Sequence, residues 1–310
     1  MRDLVKAAAT AVVGAALFAP AAAWADTAQD YNLFVTGGMT MHSSDTEGRV
    51  AVGGDAALSS YSVGAKASPN GVNLVVGGNL TAQGGSTIGE TIVAGQASYQ
   101  NWSNAGLQPA GTPLPVDFAA ETARLGALST LLNGYAANGS VAIPWSGQYS
   151  LTGTSAGLNV FDLDGALLSH TNTLTINLTP GSTALINVSG LADSFSNAGI
   201  TIIGGDASSI LWNFADATSL SFSGINMLGS VLAPNANYTG GWGQLNGQLI
   251  VKSFRDANGA TQINAVAYKG GLLGLNPASV PEPATWTMMI AGFGAIGAVL
   301  RRRRATSQLA

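Results

Sequence analysis

Cysteine is absent from the 310 residues, and charge is scarce: Asp, Glu, Lys and Arg together make up 9%, with only two histidines. No disulfide can staple such a chain, so stability must come from burial and backbone hydrogen bonding. With no thiolate and two scattered imidazoles, His42 and His170, a zinc site has no ligand set. Residues 26–280 carry six Lys and Arg against 14 Asp and Glu, a balance of −8 compared with −4 for the whole chain. A body of that sign repels a phosphate backbone, which excludes nucleic acid as a partner. The phosphate-cradling Gly-x-x-x-x-Gly-Lys-Ser/Thr loop and the Gly-x-Ser-x-Gly nucleophile elbow are both missing. No residue pattern requires a cofactor.

Chemistry is correspondingly thin. His42 precedes Asp45 by three positions with Ser43 and Ser44 between, but a Ser-His-Asp site needs convergence in space, and His42 reads as an exposed turn residue. Asp162-Leu163-Asp164-Gly165 echoes the start of a calcium loop, yet Leu163, Ala166 and Leu167 replace ligands and no glutamate closes it. It reads as a strand end entering a turn, so no metal site is assigned. Asp45, Glu47 and Asp55 form an acidic cluster for which Arg49 is the expected partner. Fourteen acids leave a two-carboxylate glycosidase open without pointing to any pair.

The two ends are the most informative segments. Arg2 and Lys6 give a basic start, Ala7 to Phe18 is apolar, and Ala23-Trp24-Ala25 is a small-x-small cleavage site. That is the pattern of a secretory signal peptide over residues 1–25, handled by the Sec translocon and signal peptidase, with the mature chain starting at Asp26. At the other end, residues 284–300 are 17 positions without a charge, about 25 Å as a helix, at the short end of a bilayer span. Trp286 suits one interface; Arg301, Arg302, Arg303 and Arg304 resist translocation at the other and leave residues 305–310 in the cytoplasm. Pro281-Glu282-Pro283, the short span and the arginine cluster together resemble a PEP-CTERM sorting signal over residues 280–304. The resemblance implies a partner, an exosortase-like membrane protease of Gram-negative bacteria, that cuts near Pro281–Pro283. It also implies only transient residence in the inner membrane before release to the surface or extracellular matrix.

Between the ends, a unit repeats: an apolar strand, Gly-Gly, then a small or polar residue. It occurs as LFVTGGMTM (33–41), VAVGGDAAL (50–58), LVVGGNLTA (74–82) and ITIIGGDAS (200–208). A strand and tight corner recurring at roughly this period predict a mainly β parallel solenoid, with Gly-Gly at φ > 0 in the corners and Asp55, Asn79 and Asp206 bonding local backbone behind them. A β-sandwich would show strands every 8–12 residues. One segment differs. Asp117 caps a predicted helix whose Phe118, Leu125, Leu128, Leu132 and Tyr135 share a face; Gly134 is expected to end it in the left-handed conformation, and the helix to lie along a solenoid flank. Strands resume from TLTINLT (173–179), and 271–279 reads as an exit linker.

The stretch YNLFVTGGMTMHSSDTEGRVAVGGDAALSSYSVG (31–64), with NVFDLDGALLS (159–169) and GSVLAPNANYTGGWGQLNGQLIVKS (229–253), resembles the choice-of-anchor A domain. The resemblance runs over nearly the whole of residues 30–270, within a domain of residues 26–270. It implies an adhesin-like β-solenoid of ice-binding-like architecture with a helix alongside, displayed at the cell surface, and no enzyme. Flat rings in Gly/Ser/Asn surroundings suit sugar faces. Of Tyr61, Tyr99, Trp102, Trp145, Tyr149, Trp212, Tyr238 and Trp242, the glycan-contact candidates are Trp242, Tyr238 and Trp102, with Trp242 the most exposed between its glycines. The sequence therefore describes an exported, exosortase-sorted surface protein with an adhesive or structural role in exopolysaccharide or biofilm. An extracellular glycan-active enzyme and an ice binder, the latter from Thr173, Thr175 and Thr179, remain the alternatives.

Overall fold

The computed structural model describes residues 26–256 and 261–277. The predicted signal peptide, the Pro-Glu-Pro motif, the 284–300 segment and Arg301–Arg304 lie outside them. Among the described residues no helix is long and apolar enough to cross a membrane.

Each turn of the chain has three sides. Leu33–Val35 forms the first side, and Met39–Thr46 supplies the second and third by bending at Ser43; Val50–Val52 then returns to the first side, one layer along. Stacking is parallel and in register: Leu33 pairs with Val50, which pairs with Leu74, while Met39 pairs with Ala56, which pairs with Leu80. The result is the predicted parallel solenoid, and its turns are three-sided. Among the described strands only the hairpin Ser140–Trp145 with Gln148–Thr152 is antiparallel.

The chain does not climb from one end to the other. It begins in the middle of the stack and winds outward through Ala97–Leu107. A helix, α1 (Phe118–Asn133), then carries it back along the first side. From Leu158–Asp164 it winds inward again until Leu249–Asp256 pairs with Leu33–Val35 and Met39–Thr40. Two windings thus meet where the chain starts and stops.

The first side is apolar on both surfaces, which is why its strands are continuous apolar runs rather than alternating ones. Leu33, Val35, Val50, Val52, Leu74 and Val76 point into the solenoid core. Phe34, Ala51, Val75, Leu232 and Ile250 point outward and are covered by Leu125, Leu128 and Leu132 of α1. Each of these side chains larger than Ala51 contributes about 1.5–3 kcal/mol on full burial. Asp117 caps α1 as expected, accepting from the Ala119 and Ala120 N–H groups at 3.1 and 3.0 Å. Gly134 departs from expectation: at φ −84° it closes the helix without a left-handed residue, its N–H bonding to the Leu131 and Leu132 carbonyls.

The corners also differ from expectation. Gly37, Gly38, Gly53, Gly54, Gly77 and Gly78 do not use positive φ, whereas Gly204, at φ 81°, does as expected. Glycine is needed there for closeness: a Cβ on Gly53 would stand 2.3 Å from the Thr36 carbonyl oxygen, and one on Gly77 2.4 Å from that of Gly53. Left-handed residues occupy the next corner instead, between the second and third sides: Ser43, Ser60, Gly84 and Asn101, at φ 49–60°. Asp55 and Asn79 bond not local backbone but the next layer, accepting from the Asn79 and Gln96 N–H groups at 2.7 and 2.9 Å. Asp206 does bond locally, to Ser208 N–H at 2.7 Å.

Both ends of the body are fastened to α1. The carboxylate of Glu121, 6% exposed, accepts from the Ala28 N–H at 2.6 Å and pairs with Arg124. Arg124 donates to the carbonyls of Leu273 and Leu275 at 3.0 and 2.8 Å. Leu272 and Leu273, read from sequence as the start of the linker, are buried. Asp26 is held too: its N–H donates to the Pro115 carbonyl, and its carboxylate accepts from Arg49 and the Tyr31 hydroxyl.

Candidate ligand-contact ridge

A three-sided stack has one edge across from its covered side. Here that edge is the corner between the second and third sides, carrying Ser43, Ser60, Gly84 and Asn101 from one winding and Asn197, Gly224 and Trp242 from the other. Trp242 stands out of it, 68% exposed. Its neighbours explain why. Gly241 and Gly243 pass so close to the adjacent turn that Cβ atoms would lie 2.4 Å from Ser223 Oγ and 2.2 Å from the Ile225 carbonyl oxygen. The Gly224 N–H donates to the Trp242 carbonyl. The backbone is pinned against the adjacent turn.

Beside it runs a groove of about 420 Å³, lined by Ile225, Asn226, Trp242, Gln244 and Gln262. Parallel pairing aligns Asn226, Gln244 and Gln262 in one outward row and brings Asn246 and Asn264 into the next. Their amides form a ladder: Asn264 Nδ2 donates to Gln244 Oε1 and Asn246 Oδ1, both at 2.9 Å, and Asn246 Nδ2 donates to Asn226 Oδ1. Asn264 spends both its donors within the ladder, whereas Asn226 and Gln244 only accept there and keep their N–H groups for a ligand. An aromatic plate next to such a row matches the alternating apolar faces and hydroxyls of a sugar chain. The amide row was missed in the sequence, although its signal is there: Asn226, Gln244 and Gln262 recur every 18 residues, as do Asn246 and Asn264.

The other sequence candidates fare differently. Tyr238 is withdrawn from the contact set: it is 1% exposed, with its ring 5.4 Å from Phe222 and 5.0 Å from Phe254 in the core. Its strand alternates, and position 238 falls inward. Trp102 is half-buried against the core near the end of the first winding. Tyr61, Tyr149 and Trp212 are buried as well, whereas Trp145, 72% exposed, sits in the terminal hairpin away from the amide row.

Among the described residues the two histidines take partners other than those the sequence suggested. His42 Nδ1 bonds Asp256 Oδ1 at 2.9 Å, not Asp45. His170 is exposed and meets Ser169 Oγ and the Ala166 carbonyl. Arg49, expected to serve Asp45, Glu47 and Asp55, pairs with Asp26 at 2.5 Å and lies 4.4 Å over the Tyr31 ring, while Glu47 takes Lys66 at 2.8 Å. Burial, and then the charge of Glu47, raise the Asp45 carboxyl above its ordinary range. A further cleft of about 440 Å³ lies at the corner between the third and first sides, lined by Arg49, Lys66, Asn73 and Gln248. Its cations are paired internally, and Gln248 is spent on the Gln29 and Tyr31 carbonyls. Among the described residues no three His, Asp or Glu side chains converge as metal ligands would.

Residues 24–263 match the model of a putative ice-binding-like adhesive domain, and residues 279–304 match the PEP-CTERM protein-sorting motif. Similar solved structures include an ice-binding protein from an Antarctic biological consortium, 12% identical over 76% of this chain and 88% of that one, with a TM-score of 0.34. An ice-binding protein from the Antarctic ascomycete Antarctomyces psychrotrophicus is 14% identical over 78% of this chain and 96% of that one, also at 0.34. No curated protein matches the chain. With a family model spanning most of its length and a sorting motif behind it, the chain belongs to the ice-binding-like adhesive domain family and carries a PEP-CTERM signal for export to the surface.

Proposed function

We propose that this protein is an exosortase-sorted adhesin of the extracellular matrix, and that it holds polysaccharide along the Trp242 ridge. Residues 1–25 direct export through the Sec translocon, and signal peptidase cuts before Asp26. The 284–300 segment and Arg301–Arg304 hold the body at the inner membrane until an exosortase-like protease cuts near Pro281–Pro283. The observation that carries the adhesive reading is the position of Trp242. Both ends of the body are tied to the covered side through Glu121 and Arg124, so the ridge across from it faces away from the anchor. Exposed indole and ordered amides are then presented outward.

The test is retention of the processed protein on its host's purified exopolysaccharide. Trp242→Ala should weaken retention about tenfold, equivalent to about 1.4 kcal/mol. Equal retention of variant and wild type would remove the ridge from the account. Replacing Arg301–Arg304 by alanine should leave the tail poorly held and surface display reduced; unchanged display would refute the stop-transfer role.

Ice binding has less support. Thr175 stands between Ser150 and Thr201 and Thr173 between Gln148 and Gly199, so the threonines do not repeat as a flat array, and Thr179 lies beyond the strand. On the second side the outward row Ser194, Ser221, Thr239 is broken by Arg255. Thermal hysteresis should be near zero.

A further inference from the structure

The two ends of the stack are finished differently. At the end that holds Leu158–Asp164, each side is blocked. On the first side, the Asn138 and Gly139 N–H groups donate to the Val160 carbonyl at 3.0 Å. The Asn138 side chain accepts from Val160 N–H at 2.7 Å and donates to the Leu158 carbonyl at 3.1 Å. On the second side a short helix, α2 (Gly165–Leu168), packs on Ala192–Ser196. On the third, the antiparallel hairpin ends the sheet with a strand that contains Pro144.

The other end has no such guard. Its last strand, Ala97–Leu107, is 11 residues long and runs along the second and third sides. Among the described residues its only strand partner is Leu80–Val93, so its outer row of N–H and C=O groups is left open. It contains neither a charged residue nor a proline, the usual protection of a free edge. The core also stops short there. Tyr99 continues the inward row Met41, Leu58, Ala82, whose members are 0–2% exposed. Tyr99 and Trp102 pack on that core yet stay half-buried, because no layer lies over them.

We propose that this end is a homodimer interface, in which a second copy of the chain lays its own Ala97–Leu107 edge antiparallel on the first. Three features select a second copy. The opposite end is shut, so a head-to-tail filament finds no edge to add to. Ser98, Gln100, Asn101, Ser103 and Asn104 offer hydrogen-bonding side chains without charge, so identical edges meet without repulsion. The cross-section also fits itself: a two-fold axis through the corner at Asn101 exchanges the second and third sides, opposing residues 97–100 of one copy to 102–104 of the other. Such an arrangement closes at two copies. The strand traces about 37 Å of edge at about 3.4 Å per residue. With the core it encircles, that end face is of the order of the roughly 800 Å² per partner that a stable dimer needs. The same corner carries the Trp242 ridge, so the axis joins two ridges end to end. The resulting avidity for polysaccharide rests on the proposed adhesive function; dimerisation itself does not.

The experiment is sedimentation equilibrium of the processed body purified from its host, over a micromolar concentration range, with hydrogen exchange on the same samples. The expected result is a species of twice the chain mass that dissociates on dilution, with the amides of residues 98–104 protected only in the dimer. Ser98 and Gln100 are exposed, so the double variant Ser98→Lys, Gln100→Lys keeps the fold while setting like charges across the seam. It should raise the dissociation constant about tenfold or more. Ala142→Lys, in the hairpin at the shut end, and Trp242→Ala, on the ridge, should both stay dimeric, the latter even where polysaccharide retention falls. A wild type that is monomeric throughout, or larger than a dimer, would overturn the proposal, as would dissociation by Ala142→Lys. Protection of residues 98–104 in a monomer would overturn it too, since another part of the chain would then cover the edge. If the double variant fails to fold, dilution of the wild type decides: protection lost with the dimer supports the interface, and protection unchanged refutes it.

Discussion

Between Leu33 and Leu107 the chain turns on paired glycines around small aliphatic side chains; between Leu158 and Asn264 the same three-sided turn is filled with rings. In the first winding Val35, Val50, Val52, Ala56, Val76 and Ala82 supply much of the interior. In the second, Phe214 meets Phe222 at 6.2 Å, Phe222 meets Tyr238 at 5.4 Å and Tyr238 meets Phe254 at 5.0 Å, with Phe195 and Trp212 alongside. The helix that bridges them docks differently too. On the first winding Phe118 of α1 packs on Phe34. On the second, Ser129 Oγ donates to Asn213 Oδ1 at 2.6 Å, and Asn187 Nδ2 donates to the Leu132 carbonyl at 3.0 Å. One architecture can thus be limited by how closely its corners approach or by how well its interior is filled, and the two halves should fail in different ways.

The largest expected effect is in the second winding. Trp212, fully buried with its Nε1 donating to the Leu228 carbonyl at 2.9 Å, should cost about 3–5 kcal/mol on replacement by alanine, measured by denaturant unfolding. In the first winding the corresponding weak point is a corner. Gly53→Ala forces a Cβ against backbone and should cost about 1–3 kcal/mol. If Gly53→Ala proved harmless, close approach would not explain the glycine pairs. Asn213→Ala strands the partners that link α1 to the second winding and should cost about 1–3 kcal/mol, with α1 amides exchanging faster than those of Leu33–Val35. Gly126 has open space around it, so Gly126→Ala should stabilise by about 1 kcal/mol, the opposite sign to Gly53→Ala. Smallest is Trp242→Ala, whose exposed ring should change stability by less than about 0.5 kcal/mol while polysaccharide retention falls.

The contrast also explains what the sequence reveals. Gly-Gly after Val-Ala-Val or Leu-Val-Val is a local pattern, so the solenoid can be read from the first winding, though not its three sides, and the helix capped at Asp117 from the segment that follows. The second lacks that punctuation: only ITIIGGDAS repeats it, and its rings give no period. The meeting of the windings is invisible for a different reason. Leu33 pairs with Leu249, a contact made across the whole body with nothing local to signal it. The same distance hides the Arg124 bonds to Leu273 and Leu275, which turn a supposed linker into part of the packed body. At the ridge, glycines around Trp242 foretold its exposure, whereas Tyr238 was misread because its surroundings in sequence are polar while its strand alternates it inward. The amide row is periodic, yet only register shows that its members stand side by side.

The most direct measurement is the intact mass of the protein recovered from the surface and matrix fractions of its host. The account predicts a chain that begins at Asp26 and ends near Pro281–Pro283, found in the matrix. A chain with its full tail, recovered only from the inner membrane, would contradict it.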